Sequence, residues 1–228
     1  MSFARGYHAA STLFDGKVLV TGGDGNNGYL NSAELYDPST GVWTQTGNMS
    51  FARYLHTAST LLDGKVLVTG GYDNSGYLNS AELYDPSTGV WTQTGNMSFA
   101  RYYHTASTLL DGKVLVTGGA SSSGYLNSAE LYDPSKGVWT QTGNMSFARY
   151  LHTASTLLDG KVLVTGGYGN SGYLNSAELY DPSTGVWTQT GNMSFARYLH
   201  TASTLLDGKV LITGGHNGTI ILNSTELY

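Results

Sequence analysis

The sequence predicts an all-β protein: a β-propeller of five blades, each a four-stranded antiparallel sheet, with the last blade lacking its outermost strand. Three observations predict it. Trp43, Trp91, Trp139 and Trp187 recur every 48 residues, as do Met1, Met49, Met97, Met145 and Met193. A period of that size belongs to propellers and solenoids. The chain holds 31 Gly against 4 Pro, a composition suited to many tight turns between short strands. No stretch shows the apolar period of a helix. The repeats run 1-48, 49-96, 97-144, 145-192 and 193-228 and are expected to form one propeller domain. The fifth stops at Tyr228, the equivalent of Tyr84.

The second unit serves as the type. His56 to Leu62 reads as strand A. Asp63-Gly64 then signals a two-residue hairpin of type I′, in which both positions take positive φ. Lys65 to Thr69 reads as strand B, and its Val66-Leu67-Val68 run predicts burial on both faces. Gly70-Gly71 ends strand B where the backbone needs freedom. Tyr72 to Gly76 reads as a polar loop. Leu78 to Tyr84 reads as strand C. Asp85-Pro86-Ser87-Thr88-Gly89 is a turn, with φ preset by Pro and a left-handed position open to Gly. Val90 to Thr94 reads as strand D and carries Trp91. One such meander cannot cover both of its faces. Repetition around an axis covers them, because each sheet packs on the next at ~10 Å.

Composition excludes several classes. Charged residues make up 12% and the net charge is -5, which suits a packed chain. The 11 Lys and Arg residues are spread evenly, whereas a nucleic-acid surface needs them clustered. No nucleic-acid partner is expected. Cysteine is absent, which removes disulfides, thiolate metal sites and cysteine nucleophiles. No apolar run approaches the ~18 residues of a membrane span, so no membrane partner is expected. Met1 to Thr12 lacks the charged-then-apolar pattern of a signal peptide; a soluble chain of unassigned compartment is expected.

The order Gly70-Gly71, Tyr84, six residues, Trp91 resembles the kelch repeat. It recurs as Gly22-Gly23, Tyr36 and Trp43, as Gly118-Gly119, Tyr132 and Trp139, and as Gly166-Gly167, Tyr180 and Trp187; the fifth unit has Gly214-Gly215 and Tyr228. The resemblance covers the whole chain. It implies a propeller used for protein interaction, ubiquitin-ligase adaptors or actin binding, or more rarely for oxidase or sugar mutarotase chemistry. Family members usually have six or seven blades, so five is a departure. The family's copper oxidases use a cross-linked Tyr–Cys pair, which a chain without cysteine cannot form.

Candidate residues fall into sets. The B–C loop varies most between otherwise near-identical units: Asp24-Gly25-Asn26-Asn27, Tyr72-Asp73-Asn74-Ser75, Ala120-Ser121-Ser122-Ser123, Tyr168-Gly169-Asn170-Ser171 and His216-Asn217-Gly218-Thr219. Tyr72, Asp73, Asn74, Tyr168, Asn170, His216 and Asn217 are therefore ligand-binding candidates, weighed against drift at tolerant loop tips. Arg5, Arg53, Arg101, Arg149 and Arg197 precede strand A. In kelch adaptors that resemble this chain, arginines at this position bind acidic peptides. One Glu on strand C exists for each Arg, so structural ion pairs with Glu34, Glu82, Glu130, Glu178 and Glu226 are the stronger alternative. His8, His56, His104, His152 and His200 form another set, read as packed hydrogen-bonding groups in preference to metal ligands. Asp24 to Gly28 lacks the spaced acids of a calcium loop.

A fivefold repeated constellation is unlike an active site, where unlike groups converge. No catalytic residue, cofactor or metal is expected. The favoured function is a non-catalytic interaction module whose B–C and D–A loops meet a protein, peptide or glycan. Two alternatives stand beside it: a repeat scaffold, amplified or designed, without a ligand of its own, and a sugar-active enzyme such as a mutarotase. The bare edge of the last blade's strand C suggests self-association.

Overall fold

The computed structural model describes residues 1–228 and contains strands and turns but no helix. Strand A is Ala9–Thr12, Thr57–Thr60, Thr105–Thr108, Thr153–Thr156 and Thr201–Thr204 in successive blades. Strand B is Val18–Thr21, Val66–Thr69, Val114–Thr117, Val162–Thr165 and Val210–Thr213. Strand C is Ala33–Asp37, Ala81–Asp85, Ala129–Asp133, Ala177–Asp181 and Thr225–Leu227. Strand D is Val42–Gln45, Val90–Gln93, Val138–Gln141 and Val186–Gln189. Each blade is an A-B-C-D antiparallel meander; the fifth has three strands. The architecture is a five-bladed propeller of the kelch type. In the second blade the register places Ala58 opposite Val68, Leu67 opposite Leu83 and Tyr84 opposite Trp91.

Two compact units divide the chain: residues 1–102 with 133–139, and residues 103–132 with 140–228. In the first, Leu13, Leu19 and Ala33 of one sheet meet Met49, Val66, Val68 and Tyr84 of the next. The second repeats this packing, with Leu109, Leu115 and Ala129 against Met145, Val162, Val164 and Tyr180. Leu163 and Ala177 then meet Met193, Val210 and Ile212. Val66, Leu67 and Val68 are wholly buried, as the unbroken apolar run of strand B predicts. Removing each from water stabilises the fold by about 2 kcal/mol.

Two local expectations change. The A–B hairpin is not a type I′ turn. Gly64 has φ 85, but Asp63 is not in the positive-φ region. Leu61 N–H donates to the Lys65 carbonyl at 2.8 Å, and Gly64 N–H donates to the Leu61 carbonyl at 3.0 Å. The loop is therefore three residues long, a type I turn completed by a left-handed glycine. The Asp63 carboxylate accepts the Lys65 N–H at 3.1 Å, which holds Asp63 in an Asx-type turn. Leu62 leaves the strand and is exposed at the hairpin tip. The B–C loop is also more ordered than a polar loop. Tyr72–Asp73 pairs with Gly76–Tyr77 as a two-residue ribbon, and other blades form the same ribbon.

The double glycine is required twice over. Gly166 and Gly167 have φ 60 and 95. A Cβ on Gly166 would strike the Arg197 carbonyl and the His200 ring, and one on Gly167 would lie 2.7 Å from the Tyr150 carbonyl. Gly167 N–H instead donates to the Arg197 carbonyl at 2.8 Å, which joins one blade to the segment leading into the next.

Candidate ligand-binding face

Antiparallel order puts the B–C loops and the D–A segments at one end of each sheet. The D–A segment meets the B–C ribbon through a single backbone bridge, Tyr54 with Tyr72 in the second blade and Tyr150 with Tyr168 in the fourth. Tyr54 and Tyr72 exchange N–H···O bonds of 3.1 and 3.0 Å. Each of these bridges brings two tyrosines of one repeat together.

In the first unit Tyr72 is the hub. Its ring lies edge-on to Tyr29 at 5.9 Å, to Tyr54 at 5.9 Å and to Tyr77 at 5.2 Å, and is tilted against Tyr102 at 6.5 Å. Tyr7 extends the chain through Tyr54. In the second unit Tyr168 has the same place, edge-on to Tyr125, Tyr150 and Tyr173. Tyr198 continues the chain to His216 at 5.6 Å. Ring pairs of this geometry are favourable because the positive ring edge meets the negative face.

The paired rings come in two forms. Tyr29–Tyr54 and Tyr125–Tyr150 are stacked, with interplanar angles of 10° and 5°. Tyr77–Tyr102 and Tyr173–Tyr198 are splayed by 37° and 38°. The rings of Tyr72 and Tyr168 touch both kinds of pair: each lies edge-on to both members of a stacked pair at 5.7–5.9 Å and to Tyr77 or Tyr173 of a splayed pair at 5.2 or 4.9 Å. Tyr77 and Tyr173 are 39% and 40% exposed.

The other candidates divide. Asn74 and Asn170 are exposed at ribbon tips. Asp73 is buried and its carboxylate accepts the Ser75 N–H at 2.7 Å and the Ser75 hydroxyl at 2.6 Å. Asn217 Oδ1 accepts the Thr219 and Ile220 amides, and His216 Nδ1 accepts the Gly218 amide. Asp73 and Asn217 thus shape their loops from within.

The arginine set is not at the surface. Arg5 is 9% exposed, and Arg53, Arg101, Arg149 and Arg197 are 0% exposed. Arg53 donates from Nη1 to the Gly70 and Ser80 carbonyls and from Nη2 to Ser80 Oγ and Glu82 Oε1. Glu82 also accepts the Ser50 and Phe51 amides. Arg5–Glu34, Arg149–Glu178 and Arg197–Glu226 are built the same way, at 2.9, 2.8 and 2.6 Å. A guanidinium so enclosed cannot reach a ligand, which corrects the acidic-peptide reading of Arg5, Arg53, Arg101, Arg149 and Arg197. Burial pushes the Glu34 and Glu226 carboxyls up, but backbone amides and the paired arginines outweigh it and hold both below the usual range.

His56, His104, His152 and His200 are interior groups, whereas His8 is exposed, which corrects the packed reading for that member of the set. His56 shares a 2.9 Å hydrogen bond with the Thr21 hydroxyl, and His200 bonds Thr153 and Thr165 at 3.0 and 3.1 Å. Burial, helped by Arg53, lowers His56 to about 3; burial, helped by Arg197, lowers His200 to about 4. No group of three or more His, Asp or Glu side chains is placed to hold a metal ion. A cavity of about 400 Å³ opens at the opposite end of the sheets, between Phe14, Gly64 and Pro86. It lies away from the tyrosines.

Sequence reading singles out Tyr72 and Tyr168 but passes over Tyr54, Tyr102, Tyr150 and Tyr198. Their signal was present: each stands immediately after the buried arginine.

Meander blades, double glycines and a Tyr–Trp cross-strand pair define a kelch-type propeller. A family model described as the Attractin/LZTR1 β-propeller matches residues 3–224, and the chain belongs to that family. No curated protein matches the chain. No helix is long and apolar enough to cross a membrane.

Proposed function

We propose that the chain is a non-catalytic interaction module, its five repeats acting as one propeller domain, and that the B–C loops and D–A segments form its binding surface. One observation carries this reading: the tyrosine chains run through the loops at which near-identical units differ. A rigid scaffold with variation confined to one set of loops is a binding architecture. Aromatic rings with a polar tip are efficient contact residues for a protein, peptide or glycan.

The test exchanges loops. Residues 72–75 and 168–171 are replaced by the Ala-Ser-Ser-Ser of residues 120–123, and wild type and variant are screened on peptide and glycan arrays. Loss of the wild-type ligand with an unchanged melting curve is expected. Binding that survives the exchange places the surface elsewhere, and a wild type that binds nothing favours the scaffold reading.

Self-association is a second reading. Strand C of the fifth blade, Thr225–Leu227, is the outer strand of its sheet, and Leu227 is exposed. An outer strand with free backbone donors and acceptors recruits another strand.

A further inference from the structure

We propose that the two stacked tyrosine pairs, Tyr29–Tyr54 and Tyr125–Tyr150, are sites of oxidative coupling, at which a one-electron oxidant joins the two rings through a carbon–carbon bond. Each bond ties the B–C ribbon of one repeat to the D–A segment that opens the next, in a chain that has no cysteine for a disulfide. The inference is independent of the binding-surface reading.

The rings of each pair lie face to face. Their centroids are 4.6 and 4.8 Å apart and their planes 10° and 5° from parallel, so the two π faces are in contact. The backbone holds them there. Arg53 N–H donates to the Leu30 carbonyl at 3.1 Å, and Arg149 N–H donates to the Leu126 carbonyl at 3.1 Å. In each pair the residue after one tyrosine is thus bonded to the residue before the other. Tyr54 and Tyr150 are anchored again by their bridges to Tyr72 and Tyr168. Groups fixed in contact react with each other far faster than with a partner in solution. All four rings are half-buried, but they are reached through more exposed ones. Tyr7 is 64% exposed and meets Tyr54 at 6.0 Å. Tyr77 leads to Tyr29 through Tyr72, and Tyr173 leads to Tyr125 through Tyr168. An oxidant meets these outer rings first, and the radical passes inward from phenol to phenol.

The step balances with hydrogen peroxide as the oxidant, acting through a haem peroxidase. Each phenol gives up one electron and its hydroxyl proton and becomes a phenoxyl radical. The unpaired electron is shared with the ring carbons ortho to the oxygen; the para carbon carries the side chain and is blocked. Two radicals in contact join through one ortho carbon each. Those two carbons then lose their hydrogens as protons, the two oxygens take protons back, and both phenols are restored. In sum one carbon–carbon bond forms, two carbon–hydrogen bonds break, and the two hydrogen atoms reduce one hydrogen peroxide to two waters. The chain also contains its own comparison. Tyr77–Tyr102 and Tyr173–Tyr198 have centroids 5.3 Å apart but planes 37° and 38° from parallel. Their faces overlap less, so their ortho carbons are less often in register to bond.

Treatment of the dilute protein with a haem peroxidase and limiting hydrogen peroxide, followed by intact mass and tryptic mapping, tests this. Each cross-link should remove the mass of two hydrogens. Residues 18–53 should be found joined to 54–65, and 114–136 joined to 150–161. Coupling at these two pairs should exceed that at the tilted pairs severalfold. Tyr29→Phe should remove the first cross-link and spare the second, and Tyr125→Phe should do the reverse, since a phenyl ring forms no phenoxyl radical. Thermal melts establish that each variant folds. The cross-linked chain should unfold at a higher urea concentration than the Tyr29→Phe, Tyr125→Phe double variant treated in the same way, because each new bond closes a loop in the unfolded chain. Coupling spread evenly over stacked and tilted pairs, coupling chiefly between chains, or oxidation of the exposed tyrosines without either joined peptide overturns the inference. An equal urea midpoint for the cross-linked chain and the double variant overturns the tie between repeats.

Discussion

Arg53 and Glu82 meet with 3.0 Å between Nη2 and Oε1, and neither side chain touches water. The pair closes a local circuit: the carboxylate also holds two amides of the D–A segment, and the guanidinium holds the Gly70 carbonyl just after strand B and the Ser80 carbonyl just before strand C. Removing one partner leaves a buried charge without compensation. Arg149→Met, in the equivalent pair of the fourth blade, should therefore cost about 3–5 kcal/mol. Urea unfolding measures it. A loss below about 1 kcal/mol would show that water reaches the Glu178 carboxylate.

Trp91 joins adjacent blades. Its indole N–H donates to the Gly47 carbonyl at 2.8 Å, and its ring packs on Tyr84 at 5.0 Å between centroids. Full burial of this tryptophan would imply a loss of about 3–5 kcal/mol on truncation to alanine. The indole is half-buried, so Trp91→Ala should cost about 2–3 kcal/mol. Trp91→Phe should recover most of the packing but not the hydrogen bond, and equal stability of the two variants would contradict that division.

Gly64→Val tests the A–B hairpin. The residue has φ 85, and a Cβ there would lie 3.3 Å from the Phe14 ring. A β-branched residue resists positive φ, so the variant should be destabilised by about 1–2 kcal/mol. Asp63→Asn should be nearly neutral, because the amide oxygen can still accept the Lys65 N–H. A type I′ turn would make Asp63 the sensitive position to β-branching as well, and Asp63→Val separates the two geometries.

Acid should weaken the fold early. His56 and His200 are held at about 3 and about 4, against ~6.5 in the unfolded chain. As pH falls below ~6.5 the unfolded chain takes up protons that the native chain refuses. Stability is thus complete above that value and is lost progressively toward pH 4 and below. The lowered carboxyls of Glu34 and Glu226 act in the same direction: their contribution is present above the unfolded carboxylate value and disappears as they protonate. The urea midpoint should be lower at pH 5 than at pH 7.5, and His56→Gln with His200→Gln should flatten that dependence. A midpoint constant across this range would contradict the buried, neutral state of the two rings.

The outer edge of the fifth blade makes a separate prediction. Adding a copy of Asp181 to Asn192 after Tyr228 supplies a strand D for Thr225–Leu227 to pair with. Light scattering on the present chain should show self-association, and the extended chain should be more stable and monomeric. Continued assembly without a gain in stability would count against the edge.

The strand order and the double burial of Val66, Leu67 and Val68 were readable from sequence because both depend on patterns within one unit. The arginine–glutamate pairs were half-readable: their stoichiometry was visible, but burial depends on how the chain turns over Gly70 and Ser80. The A–B hairpin was misread because Asp-Gly is a strong local signal, and Leu62 was assigned to the strand instead of the loop. The tyrosine pairs escaped because each joins rings from two repeats, which sequence spacing alone does not bring together. Asp73, a loop-tip candidate by position, turned inward to accept the Ser75 amide and hydroxyl.

The bridge between the D–A segment and the B–C ribbon is made by backbone atoms alone, and it forms with different occupants: Gly6 with Asp24, Tyr54 with Tyr72, Tyr198 with His216. The side chain at the ribbon's first position is thus decoupled from the framework that holds it. An acid, a phenol and an imidazole already occupy that socket in one chain. A single codon per repeat can then rewrite what a blade displays while leaving its strand pairing untouched. Such a layout favours diversification by point mutation over loop insertion, and it allows a library of surfaces to be varied on one scaffold, one blade at a time.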